Sequence, residues 1–208
     1  MLLLAGCSEA PPPHLYVLSA TSDHGAGAQV ADQSKKHVPV AAARGGGSLI
    51  GVVPVTVPDY LDRPEIVTRS SSNEITVTDS RRWAERLSTN ATGILAENLA
   101  QMLGAERVVV LPARSEVDYE VALDLRRFEI DANGQALMIG RWSVIDAKNR
   151  KEVARGGLHR SEPVADSSYD AIAAAMSRNL AVASDDIAAA VLHGRGPGNR
   201  SQQQARAN

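Results

Sequence analysis

The sequence predicts an α+β fold: a single domain with an antiparallel or mixed sheet and two main helices packed on one face of it. Two long stretches space their apolar residues as a helix does, and a third alternates apolar and polar residues over several strands joined by short turns. Strands that are many and locally paired, with few helices, are typical of an α+β domain. Hydrophobic residues make up 44% of the chain but aromatic residues only 3%, so we expect a core of aliphatic side chains.

The first part of the domain is predicted to contain strands on either side of a flexible insert. Residues 14–19 alternate as a first strand does, and residues 49–57 form a second one. Between them, residues 20–48 carry Gly, Ala, Ser and Lys without periodicity, a composition that buries too little apolar surface to offset the entropy of ordering. Residues 64–69 and 73–78 are then predicted to pair as a hairpin.

A first helix is predicted over residues 80–103, with Asp79 as its N-cap and Gly104 at its end. Trp83 is interpreted as a core anchor at the start of this helix rather than as a ligand contact. The other apolar positions follow at intervals of three and four, which places them on one helix face: Leu87, Ala91, Ile94, Leu95, Leu99, Met102 and Leu103.

The region after this helix is predicted to form strands. Residues 107–111 are a short apolar run, typical of a strand covered on both faces. Residues 119–130 alternate until the phase slips by one residue at Arg126 and Arg127, which predicts a β-bulge.

Two turns then fold the chain back into a meander. The pair at residues 133–134, Asn-Gly, predicts a type I′ hairpin turn leading into a strand over residues 137–146. A second turn near residues 148–149 leads to a strand over residues 150–160. These strands are expected to pair antiparallel with their neighbours along the chain.

A second helix is predicted to start at Asp166 or Ser167, with Ser167 and Asp170 as a capping-box pair, and to end before Gly194. Residues 194–208 contain Gly, Gln and Arg with no apolar residue except alanine, so this tail is expected to be disordered. The apolar stripe of the second helix comprises Tyr169, Ile172, Met176, Leu180, Ala183, Ile187 and Val191.

The N-terminus predicts lipidation at Cys7, the only cysteine of the chain. Residues 4–7, Leu-Ala-Gly-Cys, resemble a bacterial lipobox, in which a peptidase cuts before the cysteine and lipid is attached to its thiol. Residues 1–6 are too short for a complete secretory leader, so we interpret them as the remnant of a truncated signal peptide. Residues 7–13 then form the lipid anchor and a proline-rich tether, ahead of a domain over residues 14–193.

Composition and motifs argue against catalysis and nucleic-acid binding. The net charge of −2 provides no basic field for a nucleic-acid partner. The five histidines show no metal-ligand spacing, and no nucleophile motif occurs, so no catalytic residue, metal site or cofactor is predicted. Two alternatives remain open: a glycan- or peptidoglycan-binding outer-membrane lipoprotein, which the low aromatic content disfavours, and a periplasmic hydrolase.

Three further segments resemble a known family. They are residues 57–69 (Val-Pro-Asp-Tyr-Leu-Asp-Arg-Pro-Glu-Ile-Val-Thr-Arg), residues 82–87 (Arg-Trp-Ala-Glu-Arg-Leu) and residues 95–99 (Leu-Ala-Glu-Asn-Leu). With the lipobox and residues 16–18 (Tyr-Val-Leu), they are similar to the ABC-type transport auxiliary lipoproteins, the family of paraquat-inducible protein C. The Pro-Asp-Tyr-Leu-Asp-Arg-Pro run is the most specific of these matches.

The resemblance implies a non-enzymatic, lipid-anchored periplasmic subunit of an intermembrane lipid transport system that maintains outer-membrane integrity. Its partner would be an MCE-domain protein of the same system, and an assembly of several copies of this chain is left open. Ser8, where an Asp would mark retention in the inner membrane, points to the outer membrane. Tyr60 and Arg63 are the candidate partner-docking residues; the alternative is a purely structural loop whose Arg63 and Arg69 pair with nearby acids.

Overall fold

The computed structural model describes residues 12–20 and 48–193. It confirms the predicted α+β class: a single mixed sheet of eight strands and two long helices. The predicted signal remnant, lipidated Cys7, most of the insert and the tail from residue 194 lie outside the described residues. The elements, in chain order, are β1 (His14–Tyr16), β2 (Ile50–Val52), β3 (Glu65–Arg69), β4 (Ile75–Trp83), α1 (Leu87–Leu103), a 3₁₀ turn (Ala105–Arg107), β5 (Val108–Val110), β6 (Tyr119–Ile130), β7 (Gln135–Asp146), β8 (Lys151–Pro163) and α2 (Tyr169–His193).

The long antiparallel meander β6–β7–β8 forms the larger part of the sheet, as the alternation predicts. The register shifts between Leu125 and Arg127, which confirms the predicted bulge. The predicted hairpin at Asn133-Gly134 is also confirmed, but the predicted turn type is wrong. Gly134 has a positive φ of 74°, whereas Asn133 does not, and a type I′ turn needs both. The Asp131 carboxylate instead accepts the backbone N–H groups of Asn133 and Gln135 and so determines the turn.

The other edge of β6 pairs with two separate groups of strands. β2 lies parallel to the first half of β6 and continues to β5, while β3 meets the last residue of β6 and continues through β4 to β1. The predicted strand over 49–57 is therefore shorter than expected. The strand predicted over residues 107–111 to be covered on both faces corresponds to β5. Its Val110 side chain is exposed, so that prediction is wrong, and β5 lies at the edge of the sheet.

The predicted start of the first helix is wrong by seven residues. Residues 80–83 continue strand β4, and α1 begins at Leu87. The reason is tertiary: the N–H of Trp83 donates to the carbonyl of Pro64, and the next residue along the chain donates to the carbonyl of Tyr16. These sheet hydrogen bonds replace the helical ones. Trp83 is buried in the core as predicted, but it lies at the end of a strand, and Gly104 ends the helix as expected.

α2 begins two or three residues later than predicted, because Ser168 rather than Ser167 caps it. The Ser168 hydroxyl accepts the N–H of Ala171, while the Asp166 carboxylate accepts the N–H of Ser168. Hydrogen bonds from this Ser168 hydroxyl and N–H hold the pKa of the Asp166 carboxyl below its ordinary value.

Both helices pack on the sheet and on each other, so the core lies between them and one sheet face. The predicted apolar stripes face this core. Buried polar side chains of the helices also make hydrogen bonds: Asn98 Nδ2 on α1 donates to the Ser184 hydroxyl on α2, and the Asn179 amide on α2 donates to the carbonyl of Ala136 on β7. The two helices are thus joined to each other and to the sheet by buried hydrogen bonds as well as by apolar contact.

Candidate functional site

The chain between β2 and β3 forms a compact, proline-bounded loop, residues 58–64, which we call the 58–64 loop. The carbonyl of Pro58 accepts the N–H groups of Leu61 and Asp62, at 2.9 and 3.2 Å, and this closes a tight turn. Leu61 is buried in the core and Tyr60 is half-buried against it. The loop is therefore held by its own hydrogen bonds and by one apolar anchor.

Asp62 ties the loop to the start of α1. Its Oδ1 accepts the backbone N–H of Ser88 at 3.0 Å, while Arg86 Nη1 lies 3.3 Å from its Oδ2. α1 has no side-chain N-cap of its own, so a residue distant in sequence satisfies one of its free N–H groups. Burial raises the pKa of Asp62, but the hydrogen bonds from Ser88 and the charge of Arg86 outweigh it, and the net pKa is lowered.

Arg63 pairs with Glu65 at the start of β3. Arg63 Nε lies 2.9 Å from Glu65 Oε2, and Arg82 Nη2 of β4 lies 3.3 Å from Oε1. The hydrogen bond from Arg63 is the main reason that the pKa of Glu65 is lowered. Arg63 engages Glu65 through its Nε, and 43% of its side chain remains exposed, so the guanidinium is accessible to a partner.

Tyr60 lies over a polar cluster that the sequence reading missed. Its hydroxyl is 3.4 Å from Arg69 Nη2. The pKa of Tyr60 is raised, first by burial and then by the negative charge of Glu129 and a hydrogen bond with it. The phenol therefore stays protonated and is available as a donor to Glu129.

Glu129 is the centre of this cluster and is completely buried. Its Oε1 accepts from Arg69 Nε and from Arg127 Nε, both at 2.9 Å. Among the described residues, Glu129 Oε2 and Arg127 Nη2 have no hydrogen-bond partner. The hydrogen bond to Glu129 is also the main cause of the raised pKa of Arg69. We call Tyr60, Arg69, Arg127 and Glu129 the Glu129 cluster.

The alternation of faces along β6 explains why the sequence did not reveal the Glu129 cluster. Residues on a strand alternate between faces, so Glu129 lies on the face opposite to its neighbours Phe128 and Ile130, which belong to the core. From the sequence, a glutamate at such a position is expected to be exposed to solvent. In the structure it is completely buried and interacts with Arg69, Arg127 and Tyr60. The one available signal was the expectation that Arg69 pairs with an acid, which the structure confirms.

The 58–64 loop contains both predicted docking residues. Tyr60 and Arg63 belong to the same loop, and Arg63 pairs with an acid, as the structural alternative expected. Their docking role stays a prediction, and Cys7 lies outside the described residues. Within residues 12–20 and 48–193, no group of three or more His, Cys, Asp or Glu residues could hold a metal ion. No described helix is long and apolar enough to cross a membrane.

Comparison with known proteins gives one family and several structures of similar fold. A family model described as ABC-type transport auxiliary lipoprotein component matches residues 30–188. A crystal structure from Xanthomonas campestris, described as a protein of family model DUF330, is 18% identical with a TM-score of 0.63, and the match covers 92% of this chain and 97% of that one.

A second crystal structure, of a protein described as uncharacterized, is 21% identical with a TM-score of 0.62, and the match covers 69% of this chain and 92% of that one. At these identities the two structures establish the fold alone. No curated protein matches the chain.

Proposed function

We propose a function that starts from one fact: this chain belongs to the ABC-type transport auxiliary lipoprotein component family. It acts as a non-enzymatic, lipid-anchored periplasmic subunit of an MCE/ABC-type intermembrane lipid transport system and helps to maintain outer-membrane integrity. Lipidated Cys7 holds it on the periplasmic face of the outer membrane, and the folded domain binds the MCE-domain protein of the same system. The family match is the observation that supports this most directly.

The 58–64 loop is the surface we assign to partner docking. Three independent attachments hold it: Asp62 to α1, Arg63 through Glu65 to β3 and β4, and Tyr60 to the Glu129 cluster. A loop that is already ordered loses little conformational entropy on binding, which favours affinity. Arginine and tyrosine are also the residues that most often contribute the largest share of binding energy in protein interfaces.

The polar groups in the described part of the chain support a binding role over a catalytic one. The most concentrated group of ionisable side chains is the Glu129 cluster, whose carboxylate is buried and engaged by two guanidinium groups. A general base needs access to the proton that it removes, and Glu129 is completely buried. The cluster therefore serves to hold the loop in place.

The decisive experiment is capture of the MCE-domain partner by an Arg63→Ala variant. The attachments through Asp62 to Ser88 and through Tyr60 to Arg69 remain in this variant, so the loop should keep its position. We expect binding to weaken by about tenfold, the effect of losing an arginine anchor worth 1–2 kcal/mol. Circular dichroism and the melting temperature should remain those of the unsubstituted chain.

Arg150→Ala is the matched control, because Arg150 is another exposed arginine paired with one acid, Glu120, at 2.7 Å. It should bind the partner normally. If Arg63→Ala binds as tightly as Arg150→Ala, the 58–64 loop is only structural and the partner docks elsewhere. If the unsubstituted chain captures no MCE-domain protein, the proposed partner is wrong.

A further inference from the structure

We propose that β1 rests on the membrane to which the chain is anchored, with Leu15 and Val17 contacting the lipid surface. The proposal rests on the proposed function in one respect only, that Cys7 carries the anchor. Leu15 is 61% exposed and Val17 is 54% exposed, so two large aliphatic side chains close together in the sequence both face solvent. A single residue, Tyr16, lies between them, so both side chains are on the same side of this extended stretch of chain.

Residues 14–19, which comprise β1 and the three residues after it, are held so that the side carrying Leu15 and Val17 faces outward. The N–H of Leu18 donates to the Asn90 side chain on α1 at 2.6 Å, and the N–H of Ser19 donates to the Ser177 hydroxyl on α2 at 3.0 Å. Leu18 is buried and Tyr16 contacts the ring of Tyr169 on α2. With one side of the segment fixed against both helices, its apolar outer side cannot turn inward.

The length of the chain before β1 identifies the occupant. Four residues separate Cys7 from Pro12, and the five residue steps between the two reach about 17 Å when fully extended. A folded domain of roughly 150 residues is about 40 Å across. The tether therefore spans less than half the width of the domain, so a lipid on Cys7 forces the β1 end towards the membrane. A lipid surface is the apolar partner that this geometry always brings to Leu15 and Val17.

The contact is limited to the membrane interface. Among the described residues, β1 pairs only with β4, so its other backbone edge is open. Open backbone groups are costly in hydrocarbon but are satisfied among headgroups and water. Leu15 and Val17 can thus reach the headgroup–acyl boundary while the strand itself stays in the polar layer.

The test uses the full chain and its single cysteine. Coupling the Cys7 thiol to a maleimide-bearing lipid in phosphatidylethanolamine–phosphatidylglycerol vesicles reproduces the anchor whether or not the cell lipidates it. A Leu15→Trp variant then reports contact through quenching by lipids with brominated acyl chains. The emission of buried Trp83 and Trp142 is subtracted with the unsubstituted chain.

Leu192→Trp is the matched control. Leu192 is equally exposed, at 60%, but lies fifteen residues beyond Ser177 on α2, about 22 Å further along the helix axis. We expect brominated lipids to remove about half or more of the added emission in Leu15→Trp and little of it in Leu192→Trp.

Several results would overturn the proposal. Equal quenching at the two positions would show non-specific adsorption. Emission from Leu15→Trp that is already blue-shifted without vesicles would show that another segment of the chain covers the site. A blue shift of the Leu15→Trp emission that occurs only after the MCE-domain partner is added would make β1 a protein interface instead. Mass spectrometry of the chain purified from a Gram-negative host tests lipidation of Cys7 separately, so failure of that premise is distinguishable from failure of the contact.

Discussion

Two buried regions of this domain are built on opposite principles. The core between the sheet and the helices is almost wholly aliphatic, with Trp83 and Phe128 among its few aromatic members. The Glu129 cluster, which includes Tyr60 of the 58–64 loop, is equally closed to water at its centre but contains three charged side chains and a phenol. The first region gains free energy from every apolar group it buries, whereas the second holds together only while its charges remain paired.

The consequence concerns specificity. Burial of apolar surface is non-directional and contributes roughly 25 cal/mol per Å² wherever it occurs. A buried ion pair contributes little net stability, because desolvation offsets the attraction, but removing one partner leaves a buried charge and is costly. The core therefore stabilises the domain, while the Glu129 cluster determines where the 58–64 loop lies. The following three predictions compare these contributions, from the largest effect to the smallest.

Trp83→Ala should produce the largest loss. Trp83 is only 4% exposed, and removal of a buried large aromatic side chain costs about 3–5 kcal/mol. Urea denaturation measured by circular dichroism gives the free energy of unfolding. Ile75→Ala is the control on the same strand, since Ile75 is 36% exposed and should cost far less. Equal losses in the two variants would mean that β4 does not contribute to the core as the structure has it.

Glu129→Gln should destabilise the domain by about 2–3 kcal/mol, because Arg69 and Arg127 then lack a counter-charge in a buried position. The estimate is at the lower end for broken buried pairs, since both guanidinium groups reach partly into solvent. The same denaturation series should include Glu120→Gln, another carboxylate of β6, which pairs with Arg150 at the surface.

A surface pair of that kind is worth about 0–1 kcal/mol. A loss in Glu129→Gln no larger than in Glu120→Gln would show that the cluster is hydrated and that its charges are not interdependent. The comparison between the two buried regions would then fail, because the second region would behave as ordinary protein surface.

Tyr60→Phe should have the smallest effect at neutral pH, less than about 1 kcal/mol, since it removes only the hydroxyl, which lies 3.4 Å from Arg69 Nη2, and keeps the ring. Its effect on alkaline stability is more informative. The pKa of Tyr60 is raised above its ordinary value of 10.0, so its contribution is fully present below that value. The contribution is lost as the pH rises through the raised pKa.

Stability measured from pH 8 to pH 11 should therefore fall less steeply in Tyr60→Phe than in the unsubstituted chain. Tyr119→Phe, also half-buried against the core, serves as the control for removing a tyrosine hydroxyl. Identical pH slopes in Tyr60→Phe and the unsubstituted chain would place the Tyr60 hydroxyl outside the Glu129 cluster.

Local patterns predicted the elements that local physics controls. The meander with its bulge at Leu125–Arg127, the hairpin at residues 133–134 and the apolar stripes of α1 and α2 all follow from periodicity and turn chemistry within a few residues. The family was predicted separately, from the resemblance of residues 57–69 and two shorter segments to known family members. These features depend on neighbours in sequence, so the sequence by itself determined them.

The tertiary structure decided what depends on distant partners. Residues 80–83 became strand rather than helix because β1 and Pro64 supplied backbone hydrogen bonds. Asp62 became the cap of a helix that begins 25 residues later, and buried Glu129 became paired with Arg69, which lies 60 residues earlier in the chain. In each case the competing local preference is worth about 1 kcal/mol or less per residue, and several long-range hydrogen bonds together with burial outweigh it.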